Sequence, residues 1–337
     1  MYRNHAFAKS TAASYKSQLR AYLRFCLFFG YTPVPCRAIH LLRYIVFLAR
    51  TLSTRSIPNY LNVVRLLHLQ YGYPNPLEDP LFKHQKTLLM RGIKRINGER
   101  VTQKLPITPD VLHKMQCHLH LDSSFDATFW AACLVAFFSF FRKSNLLPPS
   151  TTEFDTKRHL RKCDVRLFPW GIILVVRWSK TIQYRDRTLL VPVPKIAHSS
   201  LCPWSAVTRA FKLAGVYQSN KSASAPAFTY LEDGVLKTLT YTTFTTKLKR
   251  TLDLCGYDRS RFSGHSFRRG GASFALHCGV PSDYIKLQGD WKSTAYERYL
   301  DHSLRYKLEA VKQMSHGITH LTPLFSIWGF RGYCAVV

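Results

Sequence analysis

An uncharged, almost wholly apolar stretch in the middle of the chain places the strongest constraint on how it folds. It reads ATFWAACLVAFFSFF, runs from Ala127 to Phe141 and ends at the cationic pair Arg142-Lys143. A bilayer-spanning helix needs about 20 such residues, so this stretch is too short to cross a membrane. Because it is apolar on every side, we expect a helix buried in a protein core, with other elements packed around it.

The first third of the chain has the spacing of successive amphipathic helices. Ser10-Thr11 is a suitable N-cap for a first helix, and a second helix follows Pro35. A third begins at Ser56 and stops at Gly72. Basic residues among these elements suit contacts with phosphate groups, and the candidates are Lys16, Arg20, Arg55 and Arg65.

A basic segment without an apolar period, Arg91–Lys104, separates this helical third from the rest of the chain. We place the domain boundary within it. The division gives a helical domain over 1–98, a second domain over 99–320 and a C-terminal tail over 321–337, to which no role is assigned. The second domain opens with a helix start at Thr108, which precedes a proline and an aspartate.

Inside the second domain, the helical spacing of apolar residues is interrupted by two runs rich in β-branched residues. They are Ile172–Trp178 and Thr188–Val193, and a charged turn separates them. Such runs predict an antiparallel pair of strands. Helical spacing returns at Thr240–Gly256 and continues to about Met314. The predicted fold class is therefore mainly α with a small antiparallel β-sheet.

The net charge indicates the class of partner. The chain has 48 Lys and Arg against 19 Asp and Glu, a formal charge of +29. A charge of this size favours a polyanion and steers it toward the protein. We expect nucleic acid as the partner in preference to an anionic membrane surface.

The cysteines favour a reducing compartment, and they give little support to a metal site. Nine of them are spread singly along the chain, without a CxxC pair or an opening secretory signal. One cluster, His113, Cys117, His118 and His120, has zinc-like residue types. Since no second cluster completes it, we interpret these as ordinary helix side chains and expect neither metal nor cofactor.

The stretch HSFRRGG, which begins at His265, has residues suited to phosphodiester chemistry. Breaking a phosphodiester needs a nucleophile, charge for the phosphate oxygens and an acid for the leaving oxygen. The chain is poor in carboxylates that would hold two metal ions, the candidates being Glu153, Asp155, Glu232 and Asp233. The guanidinium groups of arginines can supply the positive charge for the phosphate oxygens in place of metal ions. His265 and Arg268, three apart, share one face at a helix start, and the glycine pair permits close backbone approach.

The sequel GVPSDYIKLQGDWKSTAYERYL completes a pattern that resembles the tyrosine recombinase (phage integrase) family. In that family His-x-x-Arg is followed by a His or Trp after a glycine turn, and then by a nucleophilic tyrosine. FFSFFRKSNLL is similar to the segment with the family's first arginine, and RWSKTIQYRDR to its sheet-turn lysine. The resemblance implies a helical core-binding domain followed by an α+β catalytic domain.

The resemblance also implies roles for individual residues. Arg142 and Arg268 would grip the scissile phosphate, and His265 would hydrogen-bond it and assist proton transfer. Lys180 would protonate the leaving oxygen, although an exposed hairpin lysine would look the same. Tyr299 would attack the phosphorus and form a phosphotyrosyl intermediate.

Two positions near the end of the pattern have rivals. Trp291 lies 8 residues before Tyr299, whereas Asp290 lies 9 before it, the separation common in the family. We assign the family's His or Trp position to Trp291, because the carboxylate of Asp290 would repel a phosphate. Tyr296 is a rival nucleophile one helical turn before Tyr299.

Three further residues complete the predicted site. Asn145 stands where the family often has an acidic residue. Arg261 and Arg269 are interpreted as phosphate contacts.

The resemblance implies double-stranded DNA as substrate, a homo-tetramer on DNA, and no membrane. The motifs resemble recombinases of eukaryotic transposable elements, which predicts action in the nucleus, or in the cytoplasm if the source is not eukaryotic. Two alternatives remain open: a type IB topoisomerase-like activity, which relaxes one duplex, and a catalytically silent DNA-binding protein derived from a recombinase.

Overall fold

The computed structural model describes residues 6–98, 103–179, 182, 187–217, 223–291, 293, 297, 311–312 and 314–315. The chain forms two compact units, Met1–Thr102 and Gln103–Val337. The sequence-based boundary falls after residue 98, within the same connecting region.

The first unit is a bundle of four helices: α1 (Lys9–Phe29), α2 (Ala38–Ala49), α3 (Ile57–Gln70) and α4 (Pro80–Asn97). Helix α1 ends at Phe29 and is capped by Gly30, whose φ of 66° is left-handed. Tyr22, Tyr44, Ile45 and Phe82 are fully or almost fully buried and form the centre of the bundle. The helical prediction for the first third is confirmed, but the predicted cap at Ser10-Thr11 is wrong, because α1 already begins at Lys9 and its N-cap residue is Ala8.

Helix α4 shows that part of the predicted connecting segment is helical. Asp79 caps this helix by accepting a hydrogen bond from the Phe82 amide at 2.7 Å. The helix continues to Asn97, and on its last turns Ile93 is the buried residue. Most other side chains there are basic or polar and exposed, which explains why the sequence has no visible apolar period.

The second unit is built around α6 (Ser124–Phe138), as the apolar stretch predicts. Every residue from Asp126 to Phe137 is buried. Helix α6 packs against α8 (Pro203–Leu213), strand β4 (Thr229–Glu232) and α10 (His265–His277), so its apolar surface is covered on several sides. Within the described residues no helix is long and apolar enough to span a membrane.

A three-stranded antiparallel sheet has the order β1 (Val165–Phe168), β2 (Gly171–Val176) and β3 (Leu189–Pro194). Ile172 pairs with Val193 across β2 and β3, which confirms the predicted strand pair. Strand β2 ends two residues earlier than predicted. The side chain of the next residue, Arg177, turns to bind Asp164.

The remaining elements complete the second unit. Helix α5 (Pro109–Cys117) is capped by Thr108, whose hydroxyl accepts from the Val111 amide at 3.3 Å, as predicted. A second hairpin, β4 with β5 (Val235–Thr238), has no counterpart in the sequence-based prediction. The other helices are α7 (Lys143–Leu146), α9 (Tyr241–Leu254) and α11 (Ser282–Gln288).

Candidate active site

Arg268 is the most constrained charged side chain of the predicted site. It lies on α10 and is 2% exposed. Its guanidinium donates to the carbonyl oxygen of Phe140, and also to that of Gly289 at 2.9 Å. Two backbone carbonyls therefore fix the group beside the segment that ends in Arg142, two residues after Phe140. The burial also means that a phosphate reaches Arg268 only if part of the surrounding chain opens.

Trp291 covers one face of this guanidinium. The Arg268 Cζ atom lies 3.7 Å from the centre of the Trp291 ring system, close enough for a strong cation–π contact. The indole also packs against Gly289, where an added Cβ would lie 1.7 Å from a ring carbon. Only glycine leaves room for the ring here. The structure therefore places Trp291 in direct contact with Arg268.

The paired glycines of HSFRRGG bring α10 against two neighbouring backbones. A Cβ on Gly270 would lie 1.7 Å from the Ile107 carbonyl oxygen, and one on Gly271 would lie 2.0 Å from that of Phe137. The predicted close approach is confirmed. It holds Arg268 against the end of α6 and against the segment that precedes α5.

His265 is the first residue of α10 and is exposed. The turn before it is stabilised by two serines. The amide of His265 donates to Ser263 Oγ at 3.3 Å, and the amide of Ser263 donates to Ser266 Oγ at 3.0 Å. This arrangement presents His265 at the surface one helical turn before Arg268, as the three-residue spacing predicts.

Arg142 follows a backbone turn that the sequence does not reveal. Phe140 has a φ of 52°, a left-handed conformation that is rare for an aromatic residue. Its carbonyl accepts from Arg268, and Phe141 returns to the core. Arg142 itself is half-buried, and its guanidinium has no hydrogen-bond or ion-pair partner among the described residues. The Asn145 amide donates to the Arg142 carbonyl at 2.9 Å.

The residues that flank Lys180 are tightly held. The amide of Ile182 donates to the Ser179 carbonyl at 3.1 Å, and the two residues form a β-bridge. Ile182 is fully buried and Ser179 is 4% exposed. Lys180 lies outside the described residues.

An ion cluster anchors the strand that leads to Lys180. Asp164, 2% exposed, binds the guanidinium groups of Arg161 and Arg177. Burial would raise the pKa of Asp164, but hydrogen bonds from the two arginines outweigh that effect and lower it. Arg158 stacks 4.3 Å from the ring centre of Trp178. These contacts fix the β2 side of the hairpin where β2 ends.

The β3 side of the hairpin is tied to the turn before Trp291. Arg187 forms an ion pair with Asp290, and Gln288 donates to the Phe138 carbonyl at 3.1 Å and the Pro192 carbonyl at 2.9 Å. The structure therefore brings the β2–β3 hairpin to the same region as Arg268. The sequence gives no signal for these contacts, apart from the Gly-Asp-Trp turn itself.

Both candidate nucleophiles, Tyr299 and Tyr296, lie outside the described residues. Among the described residues, the structure places Trp291 on Arg268. It also places Arg268 against the Phe140 carbonyl, two residues before Arg142, and His265 one turn before Arg268 on α10.

The cationic residues predicted to bind DNA differ in their surroundings. Lys16, Arg20 and Arg55 are exposed. Arg65 is half-buried and donates to Asn62 at 3.0 Å, and Asn62 donates to the Tyr15 hydroxyl at 3.3 Å. The bond between Asn62 and Tyr15 joins α3 to α1, and Arg65 also has a structural role because it holds the Asn62 side chain.

In the second unit, Arg261 is exposed, and its carbonyl accepts from the Leu105 amide at 2.7 Å. Arg269 donates to the Lys104 carbonyl at 2.9 Å. One of its donors is therefore used within the protein.

The zinc-like cluster does not form a metal site in the part of the chain that is described. No group of three or more His, Cys, Asp or Glu side chains there has a metal-binding arrangement. Cys117 donates to the His113 carbonyl at 3.4 Å, and the Glu232 carboxylate pairs with Lys237 at 2.6 Å.

The helical first unit and the α+β second unit follow one another in the order that the resemblance to the tyrosine recombinases implies. No family model matches the chain. A curated relative, the integrase/recombinase XerD homolog of Selenomonas ruminantium, is 22% identical over 316 residues, which are 91% of this chain and 86% of the relative.

Solved structures show the same fold. The Tn1549 transposon integrase in complex with transposon right end DNA has a TM-score of 0.55 and 12% identity, covering 91% of this chain and 95% of that one. Its complex with circular intermediate DNA has a TM-score of 0.52 and 11% identity, with the same coverage. XerH site-specific recombinase bound to difH substrate has a TM-score of 0.50 and 12% identity, covering 90% and 79%. These likenesses confirm the predicted fold class and the resemblance to the tyrosine recombinases.

Proposed function

We propose that this chain is a site-specific DNA recombinase or integrase that cleaves and rejoins strands through a phosphotyrosyl intermediate. The observation that carries the proposal is the arginine centre: Arg268 is fixed by two carbonyls and an indole beside the segment of Arg142. A guanidinium whose orientation is fixed in this way can neutralise a phosphodiester once the phosphate reaches it, and Arg142 is the proposed second cation. The sequence relative and the DNA-bound fold relatives support the same function.

The proposed reaction uses the chain's own residues for each step. The Tyr299 phenol, with an ordinary pKa near 10, gives its proton to the His265 imidazole, and the cationic pocket stabilises the phenolate. Its oxygen bonds to phosphorus while the bond from phosphorus to the bridging oxygen breaks. Lys180 gives a proton to that leaving oxygen, and His265 hydrogen-bonds the phosphate. The reverse sequence rejoins the strand, because the phosphotyrosyl link conserves the bond energy.

The arginines take the part that metal ions play in other phosphoryl-transfer enzymes. Each guanidinium is permanently charged and binds two phosphate oxygens at once. Because Arg268 is 2% exposed, DNA binding opens the site before the phosphate enters. Trp291 then keeps the guanidinium plane oriented. Cleavage by this mechanism proceeds in a chelator.

Double-stranded DNA is the proposed substrate. The charge of +29 supplies attraction to phosphates that does not depend on sequence. On α1, Lys16 and Arg20 are exposed and four residues apart, so they share one helix face. Together with Arg55, they are the proposed phosphate contacts of the first unit. Each contact adds about 0.9 to the slope of log affinity against log salt.

Covalent trapping tests the proposed activity. The chain is incubated in EDTA with nicked DNA duplexes of randomised sequence, and protein-linked DNA is recovered under denaturing conditions. The proposal predicts adducts with wild type and their loss in Arg268→Ala and Tyr299→Phe. Strong, salt-sensitive retention of DNA without any adduct would instead establish the silent DNA-binding alternative.

A second assay separates the two enzyme alternatives. The recovered sequences are placed on two separate duplexes and on one supercoiled plasmid. A recombinase joins the two duplexes, whereas a topoisomerase-like enzyme relaxes the plasmid without joining. The expected homo-tetramer is measured by the mass of the complex on paired duplexes. The nuclear site of action is tested by imaging the tagged chain in a eukaryotic cell.

A further inference from the structure

The hairpin that carries Lys180 is attached to the rest of the second unit at both of its sides. On the β2 side, Arg177 binds the buried carboxylate of Asp164. On the β3 side, Arg187 binds Asp290, and the Pro192 carbonyl accepts from Gln288. The first attachment lies within the hairpin's own sheet and its lead-in. The second joins the hairpin to a turn that is 103 residues away in sequence.

We propose that the Arg187–Asp290 ion pair, together with Gln288, is a latch that positions the Lys180 hairpin relative to Arg268 and Trp291. The inference rests on the proposed function, since it assigns a role to residues that support the general acid. In this account Arg187, Gln288 and Asp290 are positioning residues.

The backbone and side chain of Asp290 are both constrained in the latch. Asp290 has a φ of 51°, a left-handed backbone that asparagine and aspartate tolerate better than most residues. Its side chain is 12% exposed, while that of Arg187 is 42% exposed. The next residue is Trp291, whose ring lies on the Arg268 guanidinium. A movement of the hairpin is thus transmitted to the arginine centre through two adjacent residues.

Gln288 joins the hairpin to the end of α6 by two hydrogen bonds. Its single amide nitrogen donates to the Phe138 carbonyl at the end of α6 and to the Pro192 carbonyl in β3. Both donors of that group are used, so the side chain fixes the distance between α6 and β3. The Phe138 carbonyl is also only two residues before Phe140, which accepts from Arg268. The latch and the arginine centre therefore share the same short segment of backbone.

The reaction gives the latch a measurable consequence. Protonation of the leaving oxygen by a positioned acid contributes about 10²- to 10⁴-fold to the rate. Small displacements of a reacting group cause large losses. A leaving sulfur does not need the proton, because thiols ionise near pH 8.5. A DNA substrate with sulfur in place of the scissile bridging oxygen therefore bypasses both Lys180 and anything that positions it.

The test compares adduct formation on oxygen and sulfur substrates of one sequence recovered by trapping. Lys180→Ala is expected to lose about 10²-fold or more on oxygen and to recover on sulfur. Asp290→Asn and Arg187→Gln are each expected to lose about twofold to fivefold on oxygen and to show no loss on sulfur. Arg187→Lys keeps the charge and restores most of the oxygen rate. The double variant loses no more than either single variant.

A matched ion pair provides the control. Arg209 and Asp122 form a surface pair in the same unit, and Asp122→Asn leaves both rates unchanged. Equal losses on oxygen and sulfur in Asp290→Asn would show that the pair only stabilises the fold, and full activity on oxygen would show that it does nothing; either result overturns the latch. If the wild-type chain forms no adduct with either substrate, the proposed function is overturned as well. That failure is distinguished from failure of the latch alone, in which the wild-type chain still forms adducts.

Discussion

Replacing Gly270 by alanine tests whether close backbone packing positions the arginine centre. Gly270 lies two residues after Arg268 on α10 and faces the Ile107 carbonyl oxygen. An added Cβ would lie 1.7 Å from that oxygen, whereas contacts under 3.0 Å are essentially never seen. Because the obstacle is backbone, a gap of about 1.3 Å must open between α10 and the segment before α5.

The expected loss in the free energy of unfolding of Gly270→Ala is the sum of three effects. Forced overpacking costs about 1–3 kcal/mol. Opening the gap also weakens the hydrogen bond from the Ile107 amide to the Ser266 carbonyl, 3.0 Å long, worth about 1 kcal/mol. Alanine in a helix returns about 1 kcal/mol. The net destabilisation is therefore about 1–3 kcal/mol. The same displacement moves Arg268 by about an ångström, which costs about 10²-fold in adduct formation.

Urea unfolding measures the first effect in the intact chain. All six tryptophans lie at position 130 or later, so their fluorescence reports the second unit. A loss of 2 kcal/mol lowers the urea midpoint by about 1 M. The matched control is Gly92→Ala, since Gly92 is a helical glycine with nothing within 4 Å of its added Cβ. That variant is expected to gain about 0.5–1 kcal/mol by circular dichroism. Unchanged stability and an unchanged adduct rate in Gly270→Ala would refute the packing argument.

Three further substitutions give separate tests. Thr108→Ala removes the N-cap of α5 and is expected to cost about 1 kcal/mol by urea unfolding; no change would contradict the cap. Trp291→Ala is expected to cost about 3–5 kcal/mol and to release Arg268, whereas Trp291→Phe keeps a ring over the guanidinium and most adduct formation; equal loss in both would contradict the stacking role. Because the pKa of Asp164 is lowered, its ion pairs stabilise the fold above its ordinary pKa of about 3.9, and that contribution is lost as the pH falls through the lowered value. The urea midpoint of wild type should therefore approach that of Asp164→Asn between about pH 4 and 2; a constant difference would contradict this.

The core and the order of the motifs could be predicted from the sequence because they depend on local patterns. A stretch that is apolar on every side, Ala127–Phe141, has no stable place except a core. The pairing of β2 with β3 follows from two β-branched runs joined by a turn. The β4–β5 hairpin was missed because Leu231, Val235 and Leu236 remain exposed, so its strands show no buried alternation.

The contacts that organise the site could not be predicted in the same way. Arg187 and Asp290 are 103 residues apart, and nothing local to either identifies the other. The carboxylate of Asp290, which would repel a phosphate, is neutralised by its ion pair with Arg187. The left-handed turn at Phe140 is likewise imposed by tertiary packing, since aromatic residues disfavour it.

The central claim is that a tyrosine of this chain becomes covalently linked to DNA, and peptide mapping tests it most directly. The trapped adduct is digested with nuclease and protease. The peptide that retains a nucleotide, joined to it through a phosphate, is then sequenced by mass spectrometry. We expect the modification on Tyr299, formed in EDTA and lost in Tyr299→Phe. Modification of Tyr296 would correct the nucleophile while preserving the chemistry. A chain that binds DNA tightly yet yields no modified tyrosine would contradict the account.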